Sequence, residues 1–231
     1  MTSDPGTPRA ALLVDWGGVL TTNLFVSFGA FCEQEGLAPD ALVQRFRGDE
    51  ACRALLIAFE EGRVEEPEFE RTFAGMLGVA SHAGLIDRLF AGVAPDAAMV
   101  GAVRAARAAG IRTGLISNSW GTRRYPREVM EELFDGIVIS GEVGMRKPAP
   151  EMYALGAERA GVEPSACVYV DDLPFNLPPA AELGMATVHH VSAVETVPEL
   201  ERLLGVALGG SADDGSPDLD PGAPGAVGSG R

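Results

Sequence analysis

Cysteine is nearly missing from this chain: Cys32, Cys52 and Cys167 are the only three in 231 residues, far apart and odd in number. That excludes a disulfide framework and a zinc knuckle, and leaves buried, reduced thiols as the expectation. Positive charge is also short. Eighteen Lys and Arg stand against 33 Asp and Glu, a net charge of −15, which repels a phosphate backbone or an anionic lipid surface. No nucleic-acid partner and no membrane are expected. No apolar run approaches the roughly 20 residues of a membrane span. The opening MTSDPGTPRA lacks the basic start and apolar run of a signal peptide. No internal repeat is visible. These absences predict a soluble, cytoplasmic protein.

What is present is a series of short apolar runs separated by helical patterns. ALLVD (11–15) ends in an acid and opens into Gly-Gly, as a buried strand entering a tight loop would. IRTGLIS, DGIVIS, ACVYVDD and MATVHH read the same way. Helical spacing fills 96–109, 150–160 and about 176–183. Strands alternating with helices predict an α/β fold, a Rossmann-like parallel sheet covered on both faces. In such sheets ligands bind beyond the carboxyl ends of the strands. Asp15, Ser117 and the Asp171–Asp172 pair are expected there. About seventy residues after the first strand show only helical spacing (FVSFGAFCEQEGL, PDALVQRFRG, ACRALLIAFEEG, EPEFERTFAGML), which predicts a helical insertion over residues 22–91. Residues 1–21 and 92–207 then form the α/β core. From 208 to 231 the composition turns to Gly, Pro, Ser, Ala and Asp, and this tail is expected to be disordered.

Four motifs stand in order at the strand ends: DWGGVLTT (Asp15), ISNSW (Ser117, Asn118), GMRKPAPEMY (Lys147) and VYVDDLPFNL (Asp171, Asp172, Asn176). Each alone is ordinary; an acid can cap a loop or a helix, and RKP is a common turn. Together, and in this order, they resemble the haloacid dehalogenase (HAD) superfamily over nearly the whole chain except the tail. The helical insertion is similar to that family's C1-type cap, which accompanies small substrates. DxGGVL looks like the branch holding small sugar-phosphate phosphatases and the N-terminal domain of soluble epoxide hydrolases.

The resemblance implies a magnesium-dependent hydrolase, in first place a phosphatase on a small phosphorylated metabolite such as a sugar phosphate. The roles it implies also make physical sense. Asp15 is the nucleophile, since a carboxylate that displaces an alcohol from phosphorus splits one hard step into two. Asp15, Asp171, Asp172 and the Gly17 carbonyl supply hard oxygens for Mg²⁺. Ser117 and Asn118 donate hydrogen bonds to the phosphoryl oxygens, and Lys147 bridges nucleophile and phosphoryl group as a catalytic and substrate-binding cation. Asn176 orders the loop around the acidic pair.

One group is lacking. Most phosphatases of this superfamily carry a second Asp two residues after the nucleophile, where it handles the proton; here that residue is Gly17. A general acid is worth about two to four powers of ten in rate. Three outcomes compete. The leaving oxygen needs little help, as in anomeric sugar, aryl or acyl phosphates. Or the chain is a 2-haloacid dehalogenase, whose halide needs no proton, although an acidic pair at the centre of the site argues against that. Or it is a catalytically impaired phosphate-binding module. His82, His189 and His190 are candidate acid-base or metal groups by type, but His189 and His190 follow the last strand and are read as surface or packing residues, and His82 sits in the insertion. Trp16 and Trp120 are read as pocket wall or packing, and Arg123, Arg124 and Arg127 as a solvated face ahead of a substrate clamp.

Overall fold

The structure, a computed structural model, describes residues 8–209. Its elements run β1 (Ala11–Val14), α1 (Leu24–Gln34), α2 (Ala41–Gly48), α3 (Glu50–Glu60), α4 (Glu66–Leu77), α5 (Leu85–Phe90), α6 (Ala97–Ala108), β2 (Arg112–Ser117), α7 (Arg127–Leu133), β3 (Gly136–Ile139), α8 (Ser140–Val143), α9 (Pro150–Ala160), β4 (Cys167–Asp171), α10 (Leu177–Glu182), β5 (Ala186–His189) and α11 (Ala193–Leu204). The five strands form one parallel sheet in the order β3-β2-β1-β4-β5. The central strands are continuous apolar runs because both faces are covered. Leu12, Val14, Leu115 and Val170 pack under α6, α7 and α11 on one face. Leu13, Ile116 and Tyr169 pack under α9 and α10 on the other. This is the expected Rossmann-like α/β architecture.

Helices α1 to α5 make a separate unit with its own core of Phe28, Phe31, Phe59, Phe69, Phe73 and Leu85. Local chemistry sets its boundaries. The Asn23 side chain caps α1 by accepting from the Phe25 amide at 2.8 Å, and Asp49 caps α3 at Cys52. Gly78, in the left-handed region, ends α4. The unit leaves and rejoins the sheet through two segments that pair with each other: the Thr22 amide donates to Ala94 O at 2.7 Å and the Asp96 amide to Leu20 O at 2.9 Å.

Some elements differ from expectation. DGIVIS ends as a strand at Ile139, and Ser140 opens α8 instead. Helices α5, α7 and α11 were not anticipated. In α11 the interior Pro198 masks the helical pattern, because proline removes an intrahelical donor. The tail expected from residue 208 lies outside the described residues except at its start. There Leu208 is buried, and the amides of Leu208 and Gly209 donate to the Glu201 carboxylate at 2.7 and 3.1 Å. Among the described residues no helix is long and apolar enough to cross a membrane.

Candidate active site

Strand order reverses at β1, which has β2 on one side and β4 on the other. At such a switch point the connections diverge and leave a crevice beyond the strand ends. Asp15 follows β1 directly, and its amide still reaches Val170 O of β4 at 2.9 Å. Asp171 ends β4 and Asp172 is next. One oxygen from each of Asp15, Asp171 and Asp172 lies within 4.8 Å of the others. Ser117 ends β2. Lys147 arrives from the loop between α8 and α9 and is completely buried.

Lys147 Nζ sits 2.8 Å from Asp15 Oδ2 and 2.8 Å from Asp171 Oδ2, bridging the two carboxylates. The Trp16 amide donates to Asp15 Oδ1 at 2.7 Å. Asp171 is the more constrained acid. It also accepts from the Leu173 amide at 2.9 Å, from Asn176 Nδ2 at 3.0 and 3.1 Å, and from the Tyr169 hydroxyl. Asn176 is in turn fixed by Tyr153, whose hydroxyl donates to its carbonyl at 2.7 Å. Burial alone would raise Asp171, but the Lys147 ammonium and these hydrogen bonds carry it below the usual carboxylate range. Burial would lower Lys147; Asp15 and Asp171 outweigh it and hold the ammonium charged. Asp15 is pushed up to about 7 by burial, opposed by Lys147 and reinforced by Asp171 and Asp172. Asp172 rises to about 6 through burial and the Asp171 charge. Three carboxylates against one ammonium leave an excess of negative charge on hard oxygens. That donor set fits a small divalent cation.

The two glycines after Trp16 have different reasons. Gly18 has φ +75°, and a Cβ there would stand 2.3 Å from Asp172 Oδ2, so only glycine lets the loop pass the acid. Gly17 has no such backbone demand. A Cβ at Gly17 would stand 2.7 Å from Leu24 Cδ1, so a methyl group of α1 fills the space a second acid would enter.

Other predicted residues are drawn in, some with different contacts. Asn118 spends its side chain on the Lys147 backbone, donating to its carbonyl at 3.1 Å and accepting from its amide at 2.8 Å. Ser117 Oγ lies 2.8 Å from the hydroxyl of Tyr125, a buried residue the sequence did not single out. Arg124 is no solvated face: it pairs with Glu66 of α4 at 3.1 Å and with Asp87 of α5 at 3.0 Å. Arg123 also pairs with Glu66, and Arg127 with Glu142. His190 is buried, with Nδ1 2.9 Å from Thr196 Oγ1; His189 is exposed and places Nε2 3.0 Å from the Asp172 carbonyl; His82 is exposed on the insertion.

A cleft of about 650 Å³ opens beside this cluster, between the sheet and the helical insertion; Trp16, Gly17, Ser117 and Asn118 line it, while Asp15, Lys147, Asp171 and Asp172 lie just outside its lining. A larger depression, about 820 Å³, follows α2 and α3 and includes none of the strand-end residues.

A family model for haloacid dehalogenase-like hydrolases matches residues 10–184, well over half of the chain. The chain belongs to this family. Among curated relatives, the bifunctional epoxide hydrolase 2 of Sus scrofa is 35% identical over 106 residues, 43% of this chain and 19% of that protein. The match to the Sus scrofa and Rattus norvegicus epoxide hydrolases thus spans about a fifth of their length. A sesquiterpene phosphatase of Aspergillus oryzae is 28% identical over 152 residues, 64% of this chain and 78% of that protein. The fold is similar to that of a HAD family enzyme from Bacteroides thetaiotaomicron solved with magnesium and inorganic phosphate. That likeness has a TM-score of 0.59 at 22% identity and covers 79% of this chain and 94% of that one.

Proposed function

We propose that this HAD-like hydrolase is a magnesium-dependent phosphatase of small phosphate monoesters, with Asp15 as its nucleophile. The observation that carries the reading is Lys147, buried and bridging Asp15 to Asp171 at the switch point of the sheet, with Asp172 beside them. Phosphatases among the relatives support it. Asp15, Asp172 and the Gly17 carbonyl would hold Mg²⁺, which supplies the positive charge that lets two anions meet. Asp171, with its oxygens engaged by donors, orients Lys147 more than it serves a metal. Lys147 turns one edge of Asp15 and presents charge to the phosphoryl oxygens. Asn118 fixes the lysine backbone, and Ser117 donates to a phosphoryl oxygen as charge spreads over it. Asp15 attacks phosphorus to give an aspartyl phosphate, which water then hydrolyses. The helical insertion acts as the cap that keeps other water out. The three buried free cysteines suit a reducing compartment such as the cytoplasm.

The test is a panel of phosphorylated metabolites with purified protein, with and without Mg²⁺, beside Asp15→Asn. Cation-dependent phosphate release that vanishes in the variant is expected. Chloride release from a 2-chloro acid in the presence of a chelator would instead assign the dehalogenase reaction. Tight phosphate binding with no turnover across the panel would assign a binding module.

A further inference from the structure

The cleft reaches the strand ends at Gly17, Ser117 and Asn118, next to Asp15, and is walled by Trp16, Leu20, Leu24, Phe90, Trp120 and Tyr125. Its polar side chains are already engaged with the protein. Tyr125 faces Ser117, and Asn118 holds the Lys147 backbone. Thr21 Oγ1 accepts from the Gly18 amide at 3.1 Å and donates to Thr22 O at 3.2 Å, while Arg124 is held by Glu66 and Asp87. A polyhydroxylated ligand seated here would lose water from each hydroxyl and gain few partners in return, a net cost. A flat apolar ligand would give up no hydrogen bonds to water on entry and would gain from burial against the rings.

A second observation is independent of the first. Leu24 Cδ1 occupies the direction in which a residue-17 acid would point. Among the described residues that line the cleft, the one carboxylate is Asp87, which is paired with Arg124. No carboxylic acid then stands beside the leaving oxygen, and the Tyr125 hydroxyl, which burial makes a poorer acid, is spent on Ser117, so a weakly basic leaving oxygen is favoured. Anomeric sugar, acyl and aryl phosphates satisfy that condition; of the three, the aryl ester always brings a flat ring to the aromatic walls and so fits them best.

Resting on the phosphatase reading above, we propose that the substrate is the phosphate monoester of an aromatic hydroxyl, its ring seated against Trp16, Phe90 and Trp120. Asp15 Oδ forms the new bond to phosphorus as the phosphorus–oxygen bond to the ring breaks, and the electron pair leaves on the phenolate, which takes a proton from solvent. Water then attacks the phosphorus of the acyl phosphate, releasing inorganic phosphate and a proton and restoring the Asp15 carboxylate.

Four esters separate the two observations: 1-naphthyl phosphate (apolar, weakly basic leaving group), octyl phosphate (apolar, strongly basic), glucose 1-phosphate (polar, weakly basic) and glucose 6-phosphate (polar, strongly basic). The naphthyl ester should have the highest kcat/KM, at least about 10²-fold above octyl phosphate, the rate a general acid supplies. Calorimetry on Asp15→Asn with Mg²⁺ should show 1-naphthyl phosphate binding at least tenfold more tightly than either glucose phosphate. In Gly17→Asp, where the Leu24 methyl can swing aside, octyl phosphate turnover should rise toward that of the naphthyl ester. Glucose 1-phosphate matching the naphthyl ester in turnover or binding overturns the proposal, as does octyl phosphate matching it in turnover. No cation-dependent hydrolysis of any ester would instead sink the phosphatase reading, while the binding comparison would still decide what the cleft accepts.

Discussion

The floor and the roof of the cleft are built on opposite principles. The floor, at the ends of β1, β2 and β4, buries charge: Asp15, Lys147 and Asp171 hold one another at hydrogen-bond distance, and Asn118 and Asn176 brace them. The roof buries rings. Trp120, on the loop after β2, lies 5.3 to 6.4 Å from the centroids of Phe28, Phe46, Phe69, Phe73 and Phe90 of the insertion. Charged groups in a dry site keep their geometry only when every partner is in place, whereas aromatic packing tolerates reshaping. Under the proposed function, the reaction belongs to the sheet and the choice of substrate to the insertion. Polar ties also bind the regions, among them Arg123 with Glu66. The buried Glu60 of α3 pairs with Arg146, next to Lys147, and Arg124 pairs with Glu66 and Asp87.

The largest effect is expected on the floor. Asp15→Asn should lower turnover by at least about 10⁴-fold, with the melting temperature unchanged or raised because an unfavourably buried charge is gone. Steady-state kinetics and calorimetry check both. A variant that melts early would place Asp15 in the framework instead. On the roof, Trp120→Ala removes the ring shared by both regions and should cost about 3 kcal/mol of stability by denaturant titration. Its second readout is a rise in KM for the aryl ester with kcat little changed. If kcat falls as steeply as it does in floor variants, the division between the regions fails.

Much of the floor was legible in the sequence, because its residues sit in short contiguous runs at strand ends. DWGG, SNS, RKP and VDD place Asp15, Ser117, Lys147, Asp171 and Asp172 together, and the structure brings all five to one end of the sheet. What could not be read was the partner of each polar atom. Asn118 was expected to face phosphate, but its amide closes on the Lys147 backbone, 29 positions away. The roof was not legible residue by residue. Leu24, Phe90 and Tyr125 look like any core residues, and only the return of α1 and α5 over the sheet makes them walls. Gly17 stood out as a missing acid, yet nothing local announces that Leu24 takes its place.

Two smaller effects sharpen the same contrast within the floor. Gly18→Ala would press a methyl group toward the Asp172 carboxylate from a backbone with φ +75°. Mg²⁺ affinity should drop about 10- to 100-fold, while the aromatic roof and its fluorescence stay unchanged. The pH dependence of Mg²⁺ binding follows from Asp15 near 7 and Asp172 near 6 in the cation-free protein. Both acids bind the cation only when ionised. Affinity should therefore be flat above pH 8 and fall as pH drops through 7 and 6, by about tenfold per unit for each proton displaced. Calorimetry in two buffers of different ionisation enthalpy should register proton release at pH 6.5 and little at pH 8.5. Equal proton release at both would mean that other groups hold the metal.

The nucleophile is the central claim, and rapid acid quench tests it directly. Enzyme mixed with radiolabelled 1-naphthyl phosphate and Mg²⁺ should yield an acid-stable, hydroxylamine-sensitive phosphoryl label on the peptide containing Asp15, formed and lost at rates that account for turnover. Turnover without any such label, or a label on a different residue, would contradict the account.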